Sequence, residues 1–92
     1  MVTAVVLFDV EREKVNEIGE TLAGLDGITE VYSVGGNHDL VAICRVPNNE
    51  DLADLVTRQI ADITGITNTE TMIAFRTYSR HDLERMFSIG LE

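Results

Sequence analysis

The tripeptide Gly27-Ile28-Thr29 recurs as Gly65-Ile66-Thr67. Each copy follows a stretch with helical apolar spacing and opens a stretch of β-type residues, so the two halves share one plan. In the first half, Val2 to Phe8 is an almost unbroken apolar and β-branched run, as expected for a strand covered on both faces. Asp9 then stands where a helix N-cap is wanted. From Glu11 to Leu25 the apolar residues Val15, Ile18, Leu22 and Leu25 form one stripe, and Gly27 provides the stop. Two extended segments follow, Ile28 to Val34 and Asp39 to Val46, joined by a short glycine turn that favours an antiparallel hairpin. Pro47 ends the second segment, and Asn48 or Asn49 caps a helix with the stripe Leu52, Leu55, Val56, Ile60 and Ile63, stopped by Gly65. A final strand is expected from about Asn68 to Tyr78. The order is βαββαβ, the duplicated split βαβ plan of ferredoxin-like α+β domains: a four-stranded antiparallel sheet with both helices on one face.

That plan leaves a burial problem. In the last strand Met72 and Ala74 alternate with Ile73 and Phe75, and in the first Ala4, Val6 and Phe8 alternate with Val5 and Leu7. Two helices cover one face only, so the other would present an apolar patch to water unless a second sheet packs on it. At 92 residues the chain is one domain near the lower size at which a core sustains itself. A homodimer or higher homo-oligomer, formed through sheet faces or edges as in dimeric α+β barrels, is therefore expected.

Charge narrows the function classes. Sixteen acids against seven Lys and Arg give a net charge of -9, and the basic residues never form a run, which argues against direct binding to nucleic acid. Glu11, Glu13, Glu17 and Glu20 lie mostly off the first helix's stripe and read as its solvated face. The opening apolar run is too short for a signal-peptide core and lacks a basic flank, and no span reaches the roughly 20 apolar residues of a membrane helix. A cytoplasmic protein without membrane attachment is expected. The single cysteine, Cys44, sits in an apolar run and reads as a small buried hydrophobe rather than a nucleophile. No residue spacing suggests a metal site or a resident cofactor.

The segment most suggestive of chemistry is Val34-Gly35-Gly36-Asn37-His38-Asp39-Leu40. Paired glycines permit positive φ and close approach to the backbone, and Asp39 sets a charge beside exposed amides. One reading is a small-molecule pocket. The other is an ordinary hairpin turn in which Asp39 caps the loop's own amides.

The hairpin Gly27-Ile28-Thr29-Glu30-Val31-Tyr32-Ser33-Val34-Gly35-Gly36-Asn37-His38-Asp39-Leu40-Val41 resembles that of the effector-binding (RAM) domain of the Lrp/AsnC transcription regulators. That family's turn has a glycine, two variable residues, an acid and an apolar residue, matched by Gly36 to Leu40. Asn49-Glu50-Asp51-Leu52 resembles the family's second-helix opening, and Gly65 to Phe75, with its alternating threonines, resembles its closing strand. The resemblance covers residues 1–78, assigned as a ligand-binding domain, and leaves 79–92 as a C-terminal extension. It implies a stand-alone RAM protein without the helix-turn-helix reading head. It further implies that a small effector, typically an amino acid, binds in clefts between subunits as dimers assemble into higher rings such as octamers, and that transcription is adjusted through full-length partner regulators. Carried over by position, the amides of Gly36, Asn37 and His38 would meet the ligand carboxylate and Asp39 its ammonium group, an arrangement suited to an amino acid. Thr69 and Thr71 would add hydroxyl contacts from a neighbouring subunit, or simply serve the strand by β-propensity. His38 departs from the family's common residues.

Rival readings remain at this level. A small dimeric α+β barrel enzyme would have to work with His38 and Asp39, the one acid–base pair at hand, although their side chains alternate in direction if extended. An ACT-type regulatory domain would carry its glycine loop after the first strand, where this chain has Phe8-Asp9-Val10-Glu11. A ligand-free structural assembly module is the third. In the tail, Ser79 and Asp82 resemble a capping box, and Leu83, Met86 and Phe87 give a short helix with an apolar stripe, expected to dock on its own fold or a neighbour.

Overall fold

The computed structural model describes residues 1–80. β1 (Val2–Val10) leads through a 3-10 turn (Arg12–Lys14) into α1 (Val15–Ala23). β2 (Ile28–Ser33) and β3 (Leu40–Val46) form the hairpin. α2 (Asn49–Asp54) continues as a π-helical stretch (Leu55–Ile60), and β4 (Ile66–Ile73) closes the fold. The expected order is observed, as a four-stranded antiparallel sheet in the spatial order β2-β3-β1-β4.

The pleat of β1 decides where the core sits. Ala4, Val6, Phe8 and Val10 are buried, as are their β3 neighbours Leu40, Ala42, Cys44 and Val46. Ile18 and Leu22 of α1, with Leu52, Leu55 and Ile60 of the second helical segment, close over them. Each large side chain removed from water here contributes about 1.5–3 kcal/mol, so Phe8, Ile18, Leu22, Leu40, Leu55 and Ile60 together carry much of the core's stabilisation. The π-helical stretch has a packing reason. Leu55 and Ile60 are both buried, and bonding to the fifth residue along keeps side chains at that spacing on one side.

Several local expectations shift. Asp9 is not a helix cap: β1 runs on to Val10, the α1 N-cap position is Lys14, and no side chain caps it. Backbone pairing to β4 wins over the cap because Asp9 lies opposite Asn68 in the β1–β4 ladder. The last strand starts two residues earlier than expected and ends at Ile73 rather than Tyr78, since β1 offers its partners only from Val10 back to Ala4. Asn48 does cap α2, its Oδ1 accepting from the Asp51 N–H at 2.8 Å. Gly27 and Gly65 take φ values of 95° and 104°, the reversals anticipated after each helix. The expected short helix in the tail lies mostly outside the described residues.

The helices pack chiefly over β2 and β3, which leaves β4 thinly covered. On the opposite side of the sheet, Val5, Leu7, Val41 and Ile43 are half-buried in the single chain, and Met72 and Tyr32 are exposed. This is the uncovered apolar face anticipated from the alternation. At its edge the Glu30 carboxylate accepts a hydrogen bond from the Tyr32 hydroxyl, which holds the phenol above its ordinary value of 10.0. Beyond β4, the Ala74 N–H still donates to Thr3 O at 2.9 Å, and Phe75 and Tyr78 then stand in solvent.

Candidate functional site

The β2–β3 turn is built outward from its closing bonds. Val34 N–H donates to Asp39 O at 3.0 Å, and Asp39 N–H donates to Phe8 O at 2.9 Å, so the turn is tied to the end of β1 as well as to itself. Between those bonds the chain passes through Gly36 at φ 116°, and open space surrounds the positions a Cβ would take at Gly35 and Gly36. Only one of the two glycines needs the left-handed region, since Gly35 has negative φ. Among the described residues, the N–H groups of Gly35, Gly36, Asn37 and His38 have no protein acceptor.

Asp39 does not cap these amides. Its Oδ2 accepts from the Val10 N–H at 2.9 Å, at the point where the β1–β4 register slips by one residue. That amide faces β3 rather than β4, past the Phe8–Leu40 pair where the β1–β3 ladder ends, and Asp39 supplies the acceptor it would otherwise lack. Asp39 Oδ1 has no protein partner among the described residues.

The strand junction beneath the turn carries more polar groups than the sequence reading assembled. His38 Nδ1 lies 3.1 Å from Asp9 Oδ1, and its Nε2 lies 3.7 Å from Glu70 Oε2. Asp9 Oδ2 in turn takes a long contact of 3.4 Å from Asn68 Nδ2, and Thr67 Oγ1 donates to Asp9 O at 3.0 Å. Asp9, Asn68 and Glu70 were absent from the expected site set. Their sequence signal is faint, because the contacts join positions 29 and more residues apart.

Gly36, Asn37, His38 and Asp39 are thus brought together, but Thr69 and Thr71 do not join them within one subunit. Thr69 lies opposite Phe8 and Thr71 opposite Val6, on the helix side of the sheet, whereas Glu70 lies opposite Leu7 on the uncovered side where His38 reaches it. Thr69 instead helps line a groove of about 300 Å³ between the π-helical stretch and β4, with Val56, Ile60, Ile63 and Ile66. Cys44 is fully buried, and that burial pushes its thiol above the ordinary value of 9.0, against the needs of a nucleophile. Among the described residues no group of His, Cys, Asp and Glu is arranged to hold a metal ion, and no helix is long and apolar enough to cross a membrane.

Comparison with known proteins places this geometry. Residues 3–83 match the family model described as the Lrp/AsnC ligand binding domain. The HTH-type transcriptional regulator FL11 of Pyrococcus horikoshii is 35% identical over 75 residues, covering 82% of this chain and 49% of that protein. The chain therefore spans about half the length of the curated relatives it matches, and those are transcriptional regulators rather than enzymes. Among solved structures, TTHA0845 from Thermus thermophilus superposes with a TM-score of 0.82 at 45% identity, covering 87% of this chain and 100% of that one. The hypothetical protein PHS023 from Pyrococcus horikoshii superposes with a TM-score of 0.78 at 32% identity, covering 88% and 98% respectively.

Proposed function

The chain belongs to the Lrp/AsnC ligand-binding domain family, and from that premise we propose that it senses a free amino acid and adjusts transcription indirectly, through full-length regulators of the same family. The single observation that carries the reading is the β2–β3 turn, where unpartnered amides from Gly35 to His38 stand next to a carboxylate oxygen, Asp39 Oδ1, that the fold leaves unused. An α-amino acid presents the complementary pair, a carboxylate for the amides and an ammonium group for Asp39. The subunit would act in the cytoplasm within a homo-oligomer of dimers or larger rings, the uncovered sheet face supplying the contact. Thr69 and Thr71 would reach the ligand from a neighbouring subunit, consistent with their standing away from their own turn.

Regulation follows from linkage. An effector bound between subunits favours the assembly that binds it best, by no more than its difference in affinity between the states. The test is a thermal-shift screen of the twenty amino acids, repeated with Asp39→Asn and followed by light scattering on any hit. A hit that raises the melting temperature by mass action, alters oligomer size and weakens in Asp39→Asn supports the reading. A panel without a hit, on an intact oligomer, removes amino acids as the effector class.

A further inference from the structure

We propose that His38 is a proton-dependent clasp that fixes the β2–β3 turn to the outer strand β4. Its ring stands between two carboxylates from different strands, Asp9 of β1 at 3.1 Å from Nδ1 and Glu70 of β4 at 3.7 Å from Nε2. A neutral imidazole carries one N–H. With that hydrogen on Nδ1 the Asp9 bond is made, but the Nε2 lone pair then faces the Glu70 carboxylate and the second leg is repulsive. Only the imidazolium, with a hydrogen on each nitrogen, is attracted to both acids at once.

The groups facing His38 are Asp9 from β1, Glu70 from β4, and the adjacent Asp39 of its own turn, whose Oδ2 is occupied by Val10. Lys14 and Arg58 are engaged elsewhere, with Glu11 and Asp54 respectively. The helices lie on the other side of the sheet from the ring, since Glu70 sits opposite Leu7 on the uncovered face. Asp9 also takes the long 3.4 Å contact from Asn68 Nδ2, and Glu70 is the more exposed of the two acceptors. In the single chain the side-chain exposure is 28% for His38, 33% for Asp9 and 59% for Glu70, so solvent reaches the ring there. The clasp goes beyond effector binding, because it acts on the turn whether or not a ligand is present. Histidine is the side chain whose charge ordinarily changes between pH 5 and 8, so modest acidification would tighten the turn against β4.

The test is NMR on the full chain near pH 5.5 and pH 8. It reads the imidazole nitrogen shifts of His38 and the amide exchange of Val10, Val34 and Asp39, whose bonds close the turn. Exchange rates are divided by the intrinsic rate at each pH. The expected result is both imidazole nitrogens protonated at the lower pH, with those amides exchanging about two- to fivefold more slowly there, the scale of a partly exposed ion pair. Glu70→Gln and His38→Gln should each bring that ratio close to one, and Glu50→Gln, on an exposed turn of α2, should leave it unchanged. The proposal is overturned if His38→Gln or Glu70→Gln keeps the wild-type ratio. It is equally overturned if Glu50→Gln lowers the ratio as far as Glu70→Gln, since the effect would then belong to net charge.

Discussion

Asp39 Oδ2 accepts the backbone N–H of Val10 at 2.9 Å across a separation of 29 residues. The Val10 amide faces β3, beyond the Phe8–Leu40 pair where the β1–β3 ladder ends, so it has no ladder partner there. The acid that the family resemblance assigns to a ligand therefore also supports the fold. Removing it tests two things at once, and the two are separable only by choosing the substitution.

Asp39→Ala is expected to lose about 1–2 kcal/mol of stability, because it strands a partly buried donor. Asp39→Asn retains an acceptor oxygen for Val10 and should lose less than half of that, while still removing the charge an ammonium group needs. Urea unfolding of both variants checks the order. Equal losses would show that the bond to Val10 contributes little.

The three positive-φ glycines should respond differently to alanine. At Gly27 a Cβ would lie 2.8 Å from Val46 Cγ1, and at Gly65 2.8 Å from Lys14 Cδ and 2.9 Å from Ile18 Cδ1. Strain and overlap together predict losses of about 1–3 kcal/mol at each. Gly36→Ala meets nothing within 4 Å and bears the backbone strain alone, about 1 kcal/mol. In contrast, Gly19 lies inside α1, its Cβ would make an ordinary 3.7 Å contact with Leu40 Cδ2, and Gly19→Ala should stabilise by about 0.5–1 kcal/mol. Thermal melts of the four variants give the ranking.

Met72 is 47% exposed on the uncovered sheet face, and placing a charge there should leave the fold intact while weakening any sheet-to-sheet contact. For Met72→Asp the expected outcome is an unchanged far-UV circular dichroism spectrum with a light-scattering mass near the 10.2 kDa of one chain. The parent chain should give a dimer or more. A parent that already runs as a monomer at micromolar concentration would refute the association.

Burial raises the Cys44 thiol above 9.0, so the unfolded chain ionises first as pH climbs. Between the unfolded and folded values the unfolded state holds fewer protons, and stability falls with rising pH; below 9.0 the contribution is fully present. Cys44→Ala should therefore show a shallower loss of stability than the parent above about pH 9, measured by urea midpoints. The same burial predicts slow labelling of the native thiol by a disulfide reagent and fast labelling in denaturant.

Element order, both glycine stops, a cap at Asn48 or Asn49 and the two alternating sets of β1 were legible in the chain because each depends on neighbours a few residues away; which set faces the helices was decided by packing. The ends of β1 and β4 were not legible. Asp9 has the chemistry of a cap, and only the proximity of β4 turns it into a strand residue that holds His38 and Asn68.

The sequence by itself determined the βαββαβ plan, the acidic character and the family, through periodicity, turn chemistry and a local motif that survive without knowledge of packing. Tertiary structure alone decided what the polar residues of the turn do. It placed Asp39 on Val10, His38 between Asp9 and Glu70, and Thr69 and Thr71 on the far side of the sheet. The physical reason is that a side chain's partner is set by strand order and register, which bring together positions far apart in the chain and which no local pattern encodes.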